Sequence, residues 1–304
     1  TLTKETRKSK MSDYISQNSV FTLYKMNEPW VVLSEIEKSI KNKIEKHGIP
    51  LSNHNIVINY GVKTGCNDAF IITGEDRKII LNNCKTENER MRTDELIRPV
   101  LRGKDIKRLS YTWSNLFLIT TYPVKNIDIE NYPSIKDYLQ SADWSNTIPH
   151  SYGKLRLEQT GKTHLINGIK IQARKQTGNK WFETQDQIAY MDDFNKLKIC
   201  YAETNSLNET KIALDTEKYI TDKTCFILLS NEGDVKTKEI YHYLSSKIFT
   251  WYMSITSPLL GDSGISLTKE SVLKFPLPKK LTTKIYSSYN LSKSEIDFIL
   301  KKPL

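Results

Sequence analysis

The 304-residue chain carries 45 Lys plus Arg against 35 Asp plus Glu, a formal net charge of +10 at pH 7, and has a pI near 9.2. Its longest apolar runs, residues 225–229 and 248–255, fall short of the roughly 20 residues a membrane-spanning helix needs. The start of the chain has no apolar signal core, so a cytoplasmic protein with no membrane partner is expected. A basic excess of this size favours a polyanionic partner, because attraction to phosphates needs only net positive potential; a Lys-rich solvated surface is the alternative. Cys66, Cys84, Cys200 and Cys225 lie far apart without a C-x-x-C pair, and the five histidines lack short metal-ligand spacing. Reduced thiols and no structural zinc are expected.

The chain begins at Thr1 rather than methionine, which reads as an excised or processed piece. Residues 1–27 are polar and basic, with Lys4, Arg7, Lys8 and Lys10 ahead of a strand-like run at 20–24. The spacing predicts a helix over 34–46: Ser34-x-x-Glu37 is a capping box, Leu33, Ile36, Ile40 and Ile44 share a face, and Gly48 with Pro50 ends it. Residues 55–60, 69–73 and 78–81 read as strands of a meander. Between the first two lies Gly61-Val62-Lys63-Thr64-Gly65-Cys66-Asn67, a glycine-bracketed polar turn whose tip carries Lys63, Thr64 and Asn67. Residues 96–108 set Pro99 before a tight turn at Gly103 and gather Arg102, Lys104, Lys107 and Arg108 around Asp105. Asp105 is expected to form an ion pair with a neighbouring arginine.

A strand follows at 116–122, and Pro133 starts a helix to about residue 140. Residues 143–179 show only broken periodicity and form either short elements or a long exposed region. Buried strands are expected at 197–202 and 225–230. One helix is expected over 236–255, with Ile240, Tyr243, Leu244, Lys247, Ile248 and Trp251 at helical spacing. The aromatic stripe Phe249, Trp251 and Tyr252 reads as core rather than base-stacking surface. The fold class is mixed α/β: a twisted, largely antiparallel sheet with packed helices.

No catalytic set emerges. Adenine-N6 methyl transfer needs a (D/N/S)-P-P-(Y/F) tetrapeptide and a glycine-rich cofactor loop, and the sequence has neither. Metal-dependent cleavage needs a Pro-Asp ahead of (D/E)-x-K. The tripeptides Asp105-Ile106-Lys107, Glu209-Thr210-Lys211 and Asp234-Val235-Lys236 lack that Pro-Asp and arise by chance in so charged a chain. No Gly-x-Ser-x-Gly elbow occurs, and Gly261-Asp262-Ser263-Gly264 is assigned to a loop. Three basic clusters remain: Lys63 with Thr64; Arg102, Lys104, Lys107 and Arg108; and Arg174, Lys175 and Lys180 ahead of Trp181. Asn67, Gln172, Gln176 and Asn179 have the amide chemistry that pairs with adenine, though such groups also bind phosphate or simply face solvent. For Trp181, burial is favoured over stacking on a base.

The Gly61 and Gly103 segments, with four further blocks, resemble the TaqI-like C-terminal specificity domain of restriction-modification methyltransferases, especially single-chain type IIG enzymes. Residues 131–139 match that family's "YPxIxxxL", and Asn179-Lys180-Trp181-Phe182-Glu183 its "GxxWxE". Residues 194–201 resemble "FxxPKIxY", with Leu197 where proline is usual, and residues 264–278 resemble "LxKxxLxxxPIP". The resemblance implies a linker at 1–27 from an upstream catalytic domain, a DNA target recognition domain at 28–280 and a helical tail at 281–304. It implies partnership with double-stranded DNA and with a methyltransferase domain of the same polypeptide. The module would position DNA for adenine-N6 methylation, with or without cleavage, by domains outside this chain, the adenine being flipped out. No cofactor is expected in this chain; S-adenosylmethionine, and Mg for cleavage, belong to the parent enzyme. The DNA-facing candidates are Lys63, Thr64, Asn67, Arg102, Lys104, Lys107, Arg108, Arg174, Lys175 and Lys180. The alternatives are an assembly domain of a phage-defence methyltransferase complex and, more distantly, an RNA-binding module, for which no RNP-type motif is present.

Overall fold

The computed structural model describes residues 33–301; the strand-like run at 20–24 and the basic residues before it lie outside them. Helix α1 (Glu35–His47) starts where the sequence requires, the Ser34 N–H and hydroxyl donating to the Glu37 carboxylate at 3.0 and 2.9 Å. Strands β1 (Gly48–Pro50) and β2 (Ile56–Asn59) follow, then α2 (Asn67–Phe70), β3 (Ile71–Thr73), α3 (Gly74–Asn82), α4 (Glu87–Leu96), β4 (Ile97–Leu101) and β5 (Leu116–Ile119). The middle holds α5 (Pro133–Ser141), α6 (Gly153–Leu157), β6 (Thr163–Ile166) and β7 (Ile169–Gln172). Then come β8 (Lys198–Ala202), β9 (Thr204–Ser206), β10 (Ile212–Asp215), β11 (Ile220–Thr221) and β12 (Cys225–Ser230). The chain continues through α7 (Asp234–Leu244), α8 (Lys247–Thr256), β13 (Leu259–Leu260), β14 (Gly264–Ser266), α9 (Lys269–Leu273), β15 (Pro276–Pro278), α10 (Ile285–Ser288) and α11 (Lys293–Lys301).

An antiparallel sheet in the order β10-β8-β12-β2 divides the interior. Alternate side chains of a strand point to opposite faces. Ile199, Tyr201, Phe226 and Leu228 therefore enter one core with Ile40 and Ile44 of α1 and the buried faces of α7 and α8. Cys200, Ala202, Cys225 and Ile227 enter the other, shared with the second sheet. With both faces covered, β8 and β12 are apolar almost without interruption. The second sheet, β11-β4-β5-β3, is antiparallel except where β11 joins β4 in parallel. The fold is mixed α/β with several mostly antiparallel sheets rather than one.

The structure corrects several local expectations. Residues 78–81 belong to α3, whose Thr73 hydroxyl accepts the Asp76 N–H at 3.1 Å in a capping arrangement. Strands β2 and β3 do not pair with each other: β2 joins β12 and β3 joins β5. The Gly61 segment is thus a crossing between two sheets, not a hairpin tip. The helix expected over 236–255 is two helices, because Ser246 caps a new one, its hydroxyl accepting the Phe249 N–H at 3.3 Å. Residues 281–301 hold α10 and α11, and Ile285, Tyr289 and Ile299 are buried in the α1–α8 core.

Candidate nucleic-acid interface

The crossing at Gly61 is shaped by close backbone approach. The Val62 N–H donates to the Thr221 carbonyl at 2.7 Å, and the Lys223 N–H returns to the Val62 carbonyl at 3.0 Å. A Cβ on Gly61 would sit 1.9 Å from the Asp222 carbonyl oxygen, so only glycine fits. Gly65 has φ +77°, a left-handed conformation that glycine adopts at no steric cost. Lys63 and Asn67 remain exposed. Thr64 does not: it is fully buried, its hydroxyl donating to Asn67 Oδ1 at 2.7 Å and accepting the Cys66 N–H at 3.1 Å. That pairing removes Thr64 from the candidate DNA-facing residues. The Lys63 carbonyl accepts the Gln185 and Asp186 N–H groups, and the Lys63 ammonium opposes the rise that burial imposes on the Asp186 carboxyl.

At the end of β4 the Arg102 guanidinium forks onto Asp105, Nε and Nη2 each 2.9 Å from a carboxylate oxygen. Asp105 also accepts the Arg102 N–H and the Ser114 hydroxyl. Burial pushes its carboxyl up, and the hydrogen bonds from Arg102 and Ser114 outweigh that and hold it below the usual range. Arg102 is therefore committed to the expected ion pair, while Lys104 and Lys107 are exposed and Arg108 half-buried. Gly103 has an ordinary φ. It is glycine because a Cβ would lie 2.5 Å from the Thr224 carbonyl oxygen, and its N–H donates to the Thr224 hydroxyl at 2.8 Å. A surface cleft of about 470 Å³ opens here, lined by Arg102, Lys104, Thr204, Lys211, Asp222 and Thr224.

In the third cluster Arg174 is buried, 2% exposed, which corrects its assignment to a DNA-facing surface. Its Nε donates to the Leu157 carbonyl at 2.8 Å, and Nη1 and Nη2 donate to those of Thr64 and Trp181 at 2.7 Å each. The guanidinium also lies 5.1 Å from the Phe70 ring centroid, and burial lowers its pKa to about 10. Lys175, Gln176 and Lys180 are exposed. The amides of Asn179 and Gln172 are spent locally: Asn179 Nδ2 donates to the carbonyls of Thr184 and Gln185, and Gln172 Nε2 to that of Gly161. Trp181 is half-buried, with the Lys154 ammonium 5.8 Å over its ring.

The three clusters are neighbours. The Asp222–Thr224 turn is packed by Gly61 and Val62 on one side and by Gly103 on the other, while Arg174 ties the Thr64 end of the crossing to residues 157 and 181. Sequence reasoning missed two parts of this arrangement. Lys223, at the apex of the central turn, is exposed. Residues 163–172 form a β-hairpin whose signal, Asn167-Gly168 between apolar residues, lay unread inside the region of broken periodicity.

What fold and site define together is a mixed α/β domain presenting a loop-built basic surface. The chain belongs to the family of TaqI-like C-terminal specificity domains, whose model matches residues 98–277, more than half of its length. Among solved structures it is similar to the type IIG restriction endonuclease BpuSI (11% identity, TM-score 0.42), over 88% of this chain and 27% of that one. It is also similar to the type IIL restriction-modification enzyme MmeI, solved in complex with DNA (12% identity, TM-score 0.40), over 84% of this chain and 36% of that one. No curated protein sequence matches it. The chain thus spans about a third of the length of these two enzymes. Among the described residues no group of three or more His, Cys, Asp or Glu is placed to hold a metal ion, and no helix is long and apolar enough to cross a membrane.

Proposed function

We propose that this chain is the duplex-DNA target-recognition module of a restriction-modification enzyme whose adenine-methylating domain lies elsewhere in the same polypeptide. Family membership supports the reading, and one structural observation carries it. Among the described residues Lys63, Lys104, Lys107, Lys175 and Lys223 are exposed and form no salt bridge, and they lie on the three clusters and on the Asp222–Thr224 turn that adjoins them. Exposed lysines elsewhere, among them Lys46, Lys85, Lys238 and Lys280, also lack a salt bridge among the described residues. A solvated Lys-rich surface accounts for those; what marks the five is that the fold brings them onto adjoining turns. Exposed ammonium groups without a salt bridge on adjoining turns suit phosphate oxygens, even where one such as Lys107 also donates to the Lys104 carbonyl at 3.0 Å, and would fix register and affinity while neighbouring loop side chains read bases.

The residues of this chain do not fit S-adenosylmethionine, since neither the tetrapeptide nor the glycine-rich loop is present. No methyl-transfer or cleavage step is assigned to it. Electrophoretic binding to duplex DNA, with single-stranded RNA as comparator, tests the reading. Neutralising about six phosphates would lower affinity by several hundredfold to a few thousandfold between roughly 50 and 200 mM salt. A flat salt response, or preference for single-stranded RNA, overturns it; retention of a partner protein in place of duplex favours an assembly role.

A further inference from the structure

We infer, resting on that functional reading, that the ribbon formed by β6 and β7 enters the major groove of duplex DNA and reads base edges there. Its register pairs Thr163 with Gln172 and Ile166 with Ile169. Asn167 (φ 49°) and Gly168 (φ 81°) close it. Positive φ at both central residues defines the two-residue turn that matches strand twist.

The foot of the ribbon is anchored by hydrogen bonds. The pairing continues as the Ala173 N–H donates to the Lys162 carbonyl at 2.9 Å and the Gly161 N–H to the Arg174 carbonyl at 2.8 Å. Arg174 itself is held by its three carbonyl partners. Beyond the foot, Ile171 alone is buried, and both faces of the strands meet solvent. Leu165 is 71% and Ile169 41% exposed.

Two features choose the occupant. No Asp or Glu occurs from residue 159 to residue 182, while Lys162, Lys170, Lys175 and Lys180 do, so this segment complements a polyanion. Leu165, opposite Lys170, and Ile169, opposite Ile166, expose an apolar side chain on each face of the ribbon beside the tip. Neither enters a core cluster among the described residues, and the thymine methyl is the apolar group that the major groove offers. Four paired residues at about 3.4 Å each reach roughly 14 Å, enough for a groove about 8.5 Å deep and 12 Å wide that admits a two-stranded ribbon. Asn167 at the tip has the amide that pairs with adenine.

The test is selection from a random-sequence duplex pool by the whole chain and by two variants, Leu165→Ser/Ile169→Ser and Lys162→Ala/Lys170→Ala. The wild type is expected to enrich a sequence. The apolar variant should lose at least one thymine preference and bind the wild-type-enriched duplex about tenfold more weakly, with an unselected duplex affected about twofold or less. The lysine variant should weaken both duplexes and flatten the salt slope by up to about 2. Should the apolar variant melt lower than wild type, Leu165→Ala, which keeps the ladder, supplies the same readout. Unchanged enrichment and affinity in the variants overturns the ribbon inference and leaves the recognition-module reading standing; wild-type duplex binding that enriches nothing overturns the ribbon inference and target choice by this chain alone, leaving only duplex binding. Absence of any duplex binding by the wild type overturns both.

Discussion

Arg174 Nη1 donates to the Thr64 carbonyl oxygen at 2.7 Å, joining residues 110 positions apart at the foot of the basic surface. Replacing Arg174 by alanine strands three carbonyls inside the fold. Hydrogen bonds to charged groups contribute about 1.5–3 kcal/mol each and do not simply add. Arg174→Ala should therefore cost roughly 3–5 kcal/mol in urea denaturation. Arg174→Lys, which supplies a point donor in place of a fork, should recover only part of that. A loss below about 1 kcal/mol would show that the residue is not the structural tie its contacts imply.

Two kinds of glycine should behave differently on substitution. Gly61→Ala and Gly103→Ala place a Cβ 1.9 and 2.5 Å from backbone oxygens, so a strand or turn must move. Gly65→Ala meets the Arg174 Cδ and the Gln185 side chain at 3.0 Å, contacts that a shift of a few tenths of an ångström relieves, and in addition carries the strain of φ +77°, about 1–2 kcal/mol. Thermal melting should rank Gly61→Ala as the most damaging and Gly65→Ala as the least. The reverse order would place backbone conformation above close approach in this region.

Much of the fold was legible because its signals are local. The Ser34–Glu37 box, the proline at the start of α5 and the apolar runs of β8 and β12 each declare an element within a few residues. Helix α3 was misread because Ile79, Ile80 and Leu81 look like a strand, although Thr73-x-x-Asp76 marks a helix start. The Arg102–Asp105 pair was visible at a separation of three residues. Thr64 and Arg174 were not separable from exposed candidates, because their burial depends on contacts with segments far away in sequence.

Lys198 explains the lysine of the block resembling "FxxPKIxY". It is wholly buried, paired with the equally buried Asp215, and donates also to the Phe194 carbonyl at 2.7 Å. Asp215 accepts the N–H groups of Glu217 and Tyr219 at 2.9 Å each. Removing one partner leaves an uncompensated charge, so Lys198→Met or Asp215→Leu alone should cost about 3–5 kcal/mol. The double variant Lys198→Met/Asp215→Leu should lose less than the sum, read from a double-mutant cycle in denaturant. Strict additivity would mean that the two groups are held independently.

Glu295 fastens α11 to α1. Burial pushes its carboxyl up, but hydrogen bonds from Lys43, the Ser292 N–H and hydroxyl, and the Ser39 hydroxyl outweigh that and hold it at about 2, below the ordinary 4.5. A depressed carboxyl stabilises the fold above its unfolded value, and this contribution is lost as pH falls from about 4.5 through about 2. With Lys43 one-third exposed, the contribution at neutral pH is on the order of 2 kcal/mol after solvent screening. Glu295→Gln should lower stability at pH 7 and flatten its decline over that acid range. Identical pH profiles for both proteins would show that the carboxylate carries no such linkage.

The basic surface separates structural cations from binding ones. Lys63, Lys104 and Lys107 are exposed and form no salt bridge among the described residues, so Lys63→Ala/Lys104→Ala/Lys107→Ala should leave the melting temperature within about 2 °C of wild type. Under the recognition-module reading the same triple change should weaken duplex binding across unrelated sequences and reduce the slope of log affinity on log salt by up to about 3. Arg102→Ala should act oppositely. It leaves the buried Asp105 carboxylate without its guanidinium, costing about 1.5–3 kcal/mol of stability, with little change in salt slope provided the variant is assayed below its melting temperature. Denaturation and salt titration of the two proteins side by side check the division. If the triple variant keeps both the affinity and the salt slope of wild type, the turns at Lys63 and Lys104 do not touch phosphate. The remaining cations of this surface, Arg108 and Lys223 together with Lys162, Lys170, Lys175 and Lys180 of the ribbon and its foot, then carry the salt dependence the wild type shows.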